Sequence, residues 1–344
     1  MKSVWFCVAS GLLSSACGGG SDEDTAPAAN EPPALQAAAS SSPAALLKRR
    51  GQAYERKGIT ALAVAPDGNA IGVAGSDGRI RVMDASGGRE VRVLETQGRG
   101  AAAGLVYSAD GRHLVAVGRD SVAEVWNVRT GERRFKLRGH AHALRAVAAS
   151  ADGAVVATGG EETRVMIWDG TTGRLRRVLG GPSDFVNALS ISPDGRWLAS
   201  GDAGACVVVW DLATGQVLRT LRGHTGEVDA VAFGTGGKLL ASAGSDGRVL
   251  LWDITSDHPP MALGSHGRPV RSLAFDRDAG LLASGSQDGR LMIWDMTTHA
   301  VVQDWIGSTH AINAVVFVGN RNQLFVGDAD NRVQAWPLSS GAAR

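Results

Sequence analysis

Cysteine is scarce in this sequence of 344 residues, which contains only Cys7, Cys17 and Cys206. Cys7 falls in an apolar N-terminal run that we expect to be removed, and Cys206 falls in a predicted strand. Three cysteines placed in this way cannot form a framework of disulfide bonds. The fold must therefore be stabilised by packing.

An excess of charge of either sign is also missing. The chain has 35 Lys and Arg residues against 34 Asp and Glu residues, which gives a formal net charge of +1 at pH 7. Domains that bind nucleic acid usually concentrate basic residues on one face or along one element. The basic residues here are scattered, so we do not expect nucleic acid as a main partner.

The apolar run near the N-terminus is too short to span a bilayer. It extends from Val4 to Leu13, follows Lys2, and is followed by small residues up to Ala16. A transmembrane helix needs about 20 apolar residues, whereas this pattern is typical of a secretory signal. We expect residues 1–16 to be a signal peptide and the protein to be exported.

The segment LLSSAC resembles a bacterial lipoprotein signal, in which the cysteine becomes the lipidated first residue. Cys17 would be that residue. Ser14 departs from the pattern, because the family usually has Leu there, and ordinary cleavage after Ala16 is the alternative. We favour lipidation, since a lone N-terminal cysteine in an exported protein otherwise lacks a partner. The resemblance implies a lipid-anchored protein of the bacterial cell envelope, facing the periplasm or the cell surface.

A polar, low-complexity segment follows Cys17. Much of it consists of Gly, Ser, Ala, Pro and acidic residues, as in GGGSDEDTAPAANEPP. Such a composition cannot bury enough apolar surface to fold. We predict that residues 17–45 are a disordered tether, which holds the remainder of the chain away from a membrane.

The main feature of the chain is a repeat of 42 residues. The position of Trp252 recurs at intervals of 43 residues once and 42 residues thereafter, and it is occupied in turn by Met83, Trp126, Trp168, Trp210, Trp252, Trp294 and Trp336. Repeats with periods of 20 to 50 residues are typical of solenoids, propellers and arrays. The chain therefore contains seven copies of one structural unit.

Each unit reads as four short strands. In the fifth copy, VDAVAF and KLLASAG are apolar runs bounded by turn residues, and an Asp246-Gly247 turn leads into RVLLWDI. A fourth run, QVLRTL, stands at the end of the preceding copy, and no helical period of 3.6 residues is visible. Four antiparallel strands per repeat are typical of one propeller blade. We predict an all-β fold, a seven-bladed β-propeller of four-stranded antiparallel blades over residues 46–344.

The repeat resembles that of the WD-repeat β-propellers, which carry a Gly-His pair near the start of each unit and a Trp-Asp pair near its end. Gly-His stands at Gly139-His140 and Gly223-His224. Trp-Asp stands at Trp168-Asp169, Trp210-Asp211, Trp252-Asp253 and Trp294-Asp295. The resemblance covers Ile59 to Leu338. It implies a monomeric, non-catalytic scaffold that binds protein partners and needs no cofactor.

In this family a His, a Ser or Thr, an Asp and the Trp form a buried hydrogen-bonded tetrad. The resemblance implies two full sets and one near-set: His224, Ser242, Asp246 and Trp252; His266, Ser284, Asp288 and Trp294; and His140, Thr158, Glu162 and Trp168. A Ser-His-Asp catalytic triad is the alternative, but a triad would occur once, whereas these sets recur with the blade. The first repeat has Met83 and no His, and the fourth has Pro182 and Gly204 at the His and Asp positions, so we expect both blades to be held less rigidly.

One rim of the disc is a candidate partner surface. The loops before the first strand and between the second and third strands carry mostly small residues, and the exceptions are Phe185, Asp184, Arg119, Glu161 and Glu227. An exposed aromatic residue is typical of an interface anchor. Packing of Phe185 over the fourth blade is the alternative.

Two other functional classes remain as alternatives. One is an exported propeller enzyme, a hydrolase or a quinone-dependent dehydrogenase, and the other is a binder of a small ligand in the central channel. An enzyme would need polar residues outside the repeat positions, yet His258 and His299 are too isolated for a metal site. We therefore predict no catalytic residue, no metal and no cofactor.

The seventh repeat lacks its outermost strand, because only PLSSGAAR follows Trp336. An unpaired sheet edge favours aggregation, and ring closure removes it. We predict that part of Leu46 to Lys57 supplies the missing strand.

Overall fold

Seven four-stranded antiparallel sheets make up the protein. The computed structural model describes residues 44–45, 58–86, 88–96, 100–276, 278, 280–318 and 323–338. Every strand within these ranges belongs to one of the seven sheets, and none of these residues forms a helix. The prediction of an all-β, seven-bladed propeller is therefore confirmed.

Six blades are built from four consecutive strands each. Blade 1 comprises β2 (Ile59–Val64), β3 (Ala70–Gly75), β4 (Arg79–Asp84) and β5 (Glu90–Glu95). Blade 2 comprises β6 (Ala102–Tyr107), β7 (His113–Gly118), β8 (Val122–Asn127) and β9 (Arg133–Arg138). Blade 3 comprises β10 (Leu144–Ala149), β11 (Val155–Gly160), β12 (Glu162–Asp169) and β13 (Leu175–Gly180).

The same order continues around the ring. Blade 4 comprises β14 (Val186–Ile191), β15 (Trp197–Asp202), β16 (Cys206–Asp211) and β17 (Val217–Arg222). Blade 5 comprises β18 (Val228–Phe233), β19 (Leu239–Gly244), β20 (Arg248–Asp253) and β21 (Met261–Ser265). Blade 6 comprises β22 (Val270–Phe275), β23 (Leu281–Ser286), β24 (Arg290–Asp295) and β25 (Val301–Ile306). Blade 7 contains β26 (Ile312–Val318), β27 (Gln323–Asp328) and β28 (Val333–Pro337).

The seventh blade is completed by the N-terminal side of the chain. The strand β1 (Ala44–Ala45) pairs antiparallel with β28, so that Ala44 lies opposite Ala335 and Ala45 lies opposite Gln334. A segment that precedes blade 1 thus closes the ring, as expected. Its position differs from the prediction, because the strand lies just upstream of Leu46 to Lys57, at the end of the segment predicted as a tether. Residues 46–57 lie outside the described residues, and so do residues 1–43.

The hydrophobic core lies between the blades. Among the described residues, seven clusters of buried apolar side chains each join two neighbouring sheets. In one of them, Trp252 and Leu250 of blade 5 pack with Val209 of blade 4. Burial falls from the inside outwards, since every residue of β14 is buried whereas β17 has no buried residue. The first strands therefore form the rigid inner wall of the disc.

A β-bulge occurs at the same point of all seven first strands. The pairing register with the second strand shifts between the first and third residues of each first strand, as between Val228 and Ala230. The second residue is therefore left out of the ladder, and a bulge of this kind re-aims its side chain. These seven residues form what we call the channel ring: Thr60, Ala103, Arg145, Asn187, Asp229, Arg271 and Asn313.

Candidate functional site

The predicted polar set of blade 5 forms a continuous hydrogen-bonded chain. Trp252 Nε1 donates to Ser242 Oγ at 2.7 Å, and the same hydroxyl contacts His224 Nε2 at 2.7 Å. His224 Nδ1 lies 2.9 Å from Asp246 Oδ2. Burial holds the pKa of His224 below its ordinary value, although Asp246 opposes the shift. The imidazole is thus neutral at pH 7, so that Nδ1–H donates to Asp246 and Nε2 accepts from Ser242.

Blade 3 contains the same chain with Thr and Glu in place of Ser and Asp. Trp168 Nε1 donates to Thr158 Oγ1 at 2.7 Å, and Thr158 Oγ1 lies 2.7 Å from His140 Nε2. His140 Nδ1 lies 2.6 Å from Glu162 Oε1. The longer Glu162 side chain reaches the imidazole, so the near-set is joined throughout.

Blade 6 contains only three of the four expected members. Trp294 Nε1 donates to Ser284 Oγ at 2.9 Å, and His266 Nε2 lies 2.8 Å from that hydroxyl. Asp288 is exposed and accepts from Arg290 N at 2.9 Å, whereas His266 Nδ1 has no hydrogen-bond partner. Burial lowers the pKa of His266 to about 4. The resemblance implied a full tetrad here, but the structure leaves Asp288 in solvent rather than on the imidazole.

These chains are built to satisfy buried polar groups rather than to catalyse a reaction. Ser242 is 0% exposed, so no substrate carbonyl can approach its Oγ. Its hydroxyl is engaged by Trp252 and His224, and no donor is left over for a developing oxyanion. A buried indole N–H without an acceptor would be destabilising. The arrangement therefore ties the second strand, the third strand and the preceding loop of a blade together.

Blade 4 compensates for its missing His and Asp in a way that sequence analysis missed. Asp202, at the end of β15, accepts hydrogen bonds from Ser183 N at 2.8 Å, Ser183 Oγ at 3.0 Å and Cys206 N at 2.9 Å. Blade 7 has the same arrangement of a loop serine and a buried Asp at the end of the second strand, since Asp328 Oδ2 accepts from Ser308 Oγ at 2.8 Å. Both carboxyl groups are buried. Blade 4 thus has a polar anchor of its own for the loop before β14, and its lower rigidity stays a prediction.

Phe185 lies on the rim before β14 and remains 41% exposed. The guanidinium of Arg145 lies over its ring, 5.4 Å from the centroid. Arg145 also donates from Nη2 to Glu161 Oε1 at 2.9 Å and from Nη1 to Asn187 Oδ1 at 2.9 Å. Asn187 Nδ2 in turn donates to Glu227 Oε2 at 3.3 Å. Three of the five predicted rim residues are thus joined by Arg145 and Asn187, which sequence analysis did not single out.

The other two predicted rim residues stand apart from this network. Asp184 is exposed and accepts from Phe185 N at 2.7 Å. Arg119 is exposed in blade 2, where its side chain lies against Gly100: a Cβ on Gly100 would come within 3.3 Å of Arg119 Cδ. We call the joined residues Phe185, Arg145, Glu161, Asn187 and Glu227 the rim network.

Side chains of the channel ring contact the neighbouring blade around the axis. Thr60 Oγ1 donates to Ala102 O at 2.6 Å, and Asn313 Nδ2 donates to Ile59 O at 2.8 Å. The bond from Arg145 to Asn187 likewise joins blades 3 and 4. In these three cases the side chain that the bulge leaves out of the ladder reaches the next blade around the ring, and Arg145 and Asn187 belong to the rim network as well.

Asp229 is the acidic member of the channel ring. It is 5% exposed, and its Oδ1 has no hydrogen-bond partner. Burial raises the pKa of its carboxyl group to about 7, while Arg271 and Arg145 oppose the shift and Glu227 and Asp246 reinforce it. The carboxyl group is therefore divided between its neutral and ionised forms near pH 7.

Within the described ranges, no group of three or more His, Cys, Asp or Glu side chains is arranged to hold a metal ion, and no helix is long and apolar enough to cross a membrane. Cys206 is a buried free thiol that accepts from Arg222 Nη1 at 3.0 Å, and Cys17 lies outside the described residues.

A family model described as "WD domain, G-beta repeat" (WD40) matches more than half of the chain, at residues 48–84, 131–169, 173–211, 215–253 and 258–295. None of the five matches ends on the tryptophan position of blade 2 or of blade 7, where Trp-Asn and Trp-Pro stand in place of the Trp-Asp pair. A search of curated proteins finds no match to the sequence.

Proposed function

Since the chain belongs to the WD40 family of WD-domain, G-beta repeat proteins, we propose that it is a non-catalytic scaffold whose rim network binds a protein partner. Propellers of this family commonly serve as interaction platforms, and this chain presents an exposed aromatic ring among charged groups on one rim. The observation that carries the proposal is the exposure of Phe185 beneath the guanidinium of Arg145. Aromatic and arginine side chains supply most interface anchors.

The charges around Phe185 favour a partner that is recognised by shape and polarity rather than by net charge. Arg145 is paired with Glu161, and Glu227 accepts from Asn187. Such prearranged charges fix orientation and reject wrong partners more than they add affinity. A partner surface with an apolar pocket for one ring, bordered by polar groups, fits this rim.

Replacing Phe185 by Ala is expected to abolish partner binding while lowering the free energy of unfolding by less than about 1 kcal/mol, because an exposed side chain loses little packing. Leu218→Ala is the matched control, since Leu218 belongs to the same blade, is 42% exposed, and lies on the outermost strand instead of the rim. A photo-crosslinking phenylalanine analogue placed at position 185 or 218 in cells measures contact directly.

Adducts at position 185 and none at position 218 are the expected result. Equal adducts at both positions, or none at either, would contradict the assignment of the rim. A loss of unfolding free energy of about 3 kcal/mol or more in Phe185→Ala would mark the ring as a core residue.

We further propose that the scaffold is a monomer of the bacterial cell envelope, held to a membrane through acyl chains on Cys17. The support is the sequence LLSSAC behind a signal-like apolar run. Stable anchoring of this type depends on the acyl chains and needs no spanning helix.

Cys17→Ser is expected to move the protein from the membrane fraction to the soluble exported fraction, because the acylated atom is lost. Cys7→Ser is the control, since Cys7 lies within the predicted signal segment and is not the acylated residue. Fractionation followed by mass spectrometry of the N-terminal peptide makes the measurement. A Cys17→Ser protein that stays with the membrane would require a different anchor.

A further inference from the structure

We infer that the channel ring around Asp229 is a binding site for an organic cation, a guanidinium or alkylammonium group that donates N–H hydrogen bonds to the Asp229 carboxylate. Seven bulges each leave one residue of a first strand out of the sheet ladder, and a bulge re-aims the side chain of that residue. Bulges are common next to functional sites for this reason.

One oxygen of the Asp229 carboxyl group lacks a hydrogen-bond partner. Asp229 is buried to 95% of its surface, since only 5% is exposed, and its Oδ1 accepts no hydrogen bond. Most buried polar atoms in proteins are hydrogen-bonded, and an exception needs an explanation. An ionised carboxylate can only accept, so the missing partner must be a donor.

The charged groups around the Asp229 carboxylate also indicate a cationic partner. Arg145 is paired with Glu161, and that pair is neutral as a unit. The groups that remain are Glu227 and Asp229 on one side and Arg271 on the other, with Asp246 further adding negative potential. The negative charges of Glu227 and Asp246 that act on an ionised Asp229 therefore favour a cation as its partner. A monovalent cation supplies both the donor and the charge.

A second carboxylate, that of the exposed Glu227, acts on Asp229 from the rim. Glu227 lies two residues before Asp229, on the rim at the start of the same strand, and is exposed. Asn187 lies between the two levels: it is buried and donates to Glu227. A cation attracted to the exposed Glu227 carboxylate is therefore brought close to Asp229, whereas the Asn187 amide oxygen already accepts from Arg145.

Two sources can provide such a group, a free amine or guanidine and the side chain of a partner protein. In the second case the inference rests on the proposed scaffold function, because the side chain would enter the channel as its protein docks on the rim network. In the first case the site is independent of that function. The chemistry at Asp229 is the same for both.

The experiment measures binding to the full chain by isothermal titration calorimetry. The probes are agmatine, the peptide acetyl-Gly-Arg-Gly-amide, and the same peptide with neutral citrulline in place of arginine. Because only the ionised carboxylate binds, the affinity for a cation is expected to be about tenfold higher at pH 8 than at pH 6. The citrulline peptide is expected not to bind.

Asp229→Asn is expected to lower the affinity for agmatine at pH 8 at least tenfold and to remove its pH dependence. The control is Asp304→Asn, which changes a carboxylate on the outermost strand of blade 6 that is paired with Arg290. That variant is expected to bind as the wild type does. The wild type offers a further test at pH 7, because binding of a cation should release the proton from protonated Asp229. The released protons are counted by calorimetry in two buffers of different ionisation enthalpy.

The outcomes separate the two sources. Binding of agmatine and of the arginine peptide supports a free cation or a side chain, whereas binding of the peptide alone supports a side chain of a partner. No binding of either cation at pH 8, equal binding of the citrulline peptide, or unchanged binding in Asp229→Asn would overturn the inference. Phe185→Ala tests the scaffold function separately, because it leaves Asp229 in place.

Discussion

Replacing Ser242 by Ala is expected to lower the free energy of unfolding by about 2–5 kcal/mol. The substitution removes one hydroxyl and leaves two buried groups without partners, Trp252 Nε1 and His224 Nε2. Each buried polar group left unsatisfied costs about 1–3 kcal/mol. The surrounding blade cannot relax to supply another acceptor, because Trp252 is packed in the cluster between blades 4 and 5. Urea unfolding followed by fluorescence measures the change.

Ser200, at the equivalent position in blade 4, provides a control for which the change in the free energy of unfolding is not expected to be a loss. Ser200 is buried, but its Oγ makes no hydrogen bond, since Trp210 Nε1 donates to Gly180 O at 3.2 Å instead. Ser200→Ala therefore removes an unsatisfied hydroxyl and is expected to be neutral or stabilising by up to about 2 kcal/mol. If both substitutions destabilise to the same extent, the hydrogen-bonded chain of blade 5 carries no special weight and the loss reflects packing alone.

Replacing Asp229 by Asn is expected to raise the free energy of unfolding by about 2–4 kcal/mol at pH 8 and to change it little at pH 4. Burial raises the pKa of this carboxyl group from 3.8 in the unfolded chain to about 7 in the fold. Between those values the folded state binds more protons than the unfolded state, so stability falls as the pH rises from about 4 through about 7. Above that range the full penalty of a buried carboxylate remains.

The buried histidines change the pH dependence of stability in the opposite direction, and they do so equally in the wild type and in Asp229→Asn. Burial lowers the pKa values of His140, His224 and His266, so their contribution to stability is lost as the pH falls below about 6.5. Their effect cancels in the difference between wild type and variant. Denaturant unfolding at pH 4, 6 and 8 therefore isolates Asp229. A variant that is less stable than the wild type at pH 8 would mean that donors already satisfy the carboxylate.

The repeat made the fold predictable from the sequence alone. The regular spacing of the tryptophan position, together with four short strands in each interval, leaves a propeller as the arrangement that buries every apolar run. The polar sets of blades 3 and 5 follow from the same spacing, because a residue's place in the repeat fixes its place in the blade. Glu162 reaches His140 although it departs from the Asp of the pattern.

Sequence reasoning was weaker where a position in the repeat does not determine a contact. Asp288 matches the pattern, yet it faces solvent and does not reach His266. Asp202 was overlooked because it replaces a glycine at the end of the second strand, as a comparison with Gly160 and Gly244 shows. That single replacement was the signal that blade 4 has its own anchor.

The rim network and the channel ring depend on curvature. Arg145, Asn187 and Asp229 are separated by one repeat each, and in a linear reading each is an unremarkable polar residue in a strand. Only the closed ring and its bulges bring them to a common axis. The local secondary-structure propensity of these residues does not predict their proximity, because it depends on the arrangement of all seven blades.

The two-residue strand that completes blade 7 also decides how the disc responds to mechanical load. A pull on the chain from its N-terminal side reaches Ala44 and Ala45 before any other described strand, and their pairing with β28 lies at an open sheet edge. Load applied there peels the two residues away one at a time, whereas the longer strands within the blades share it across several hydrogen bonds. Blade 7 is thus the weakest point of the ring under tension, and force-spectroscopy traces are expected to begin with its opening.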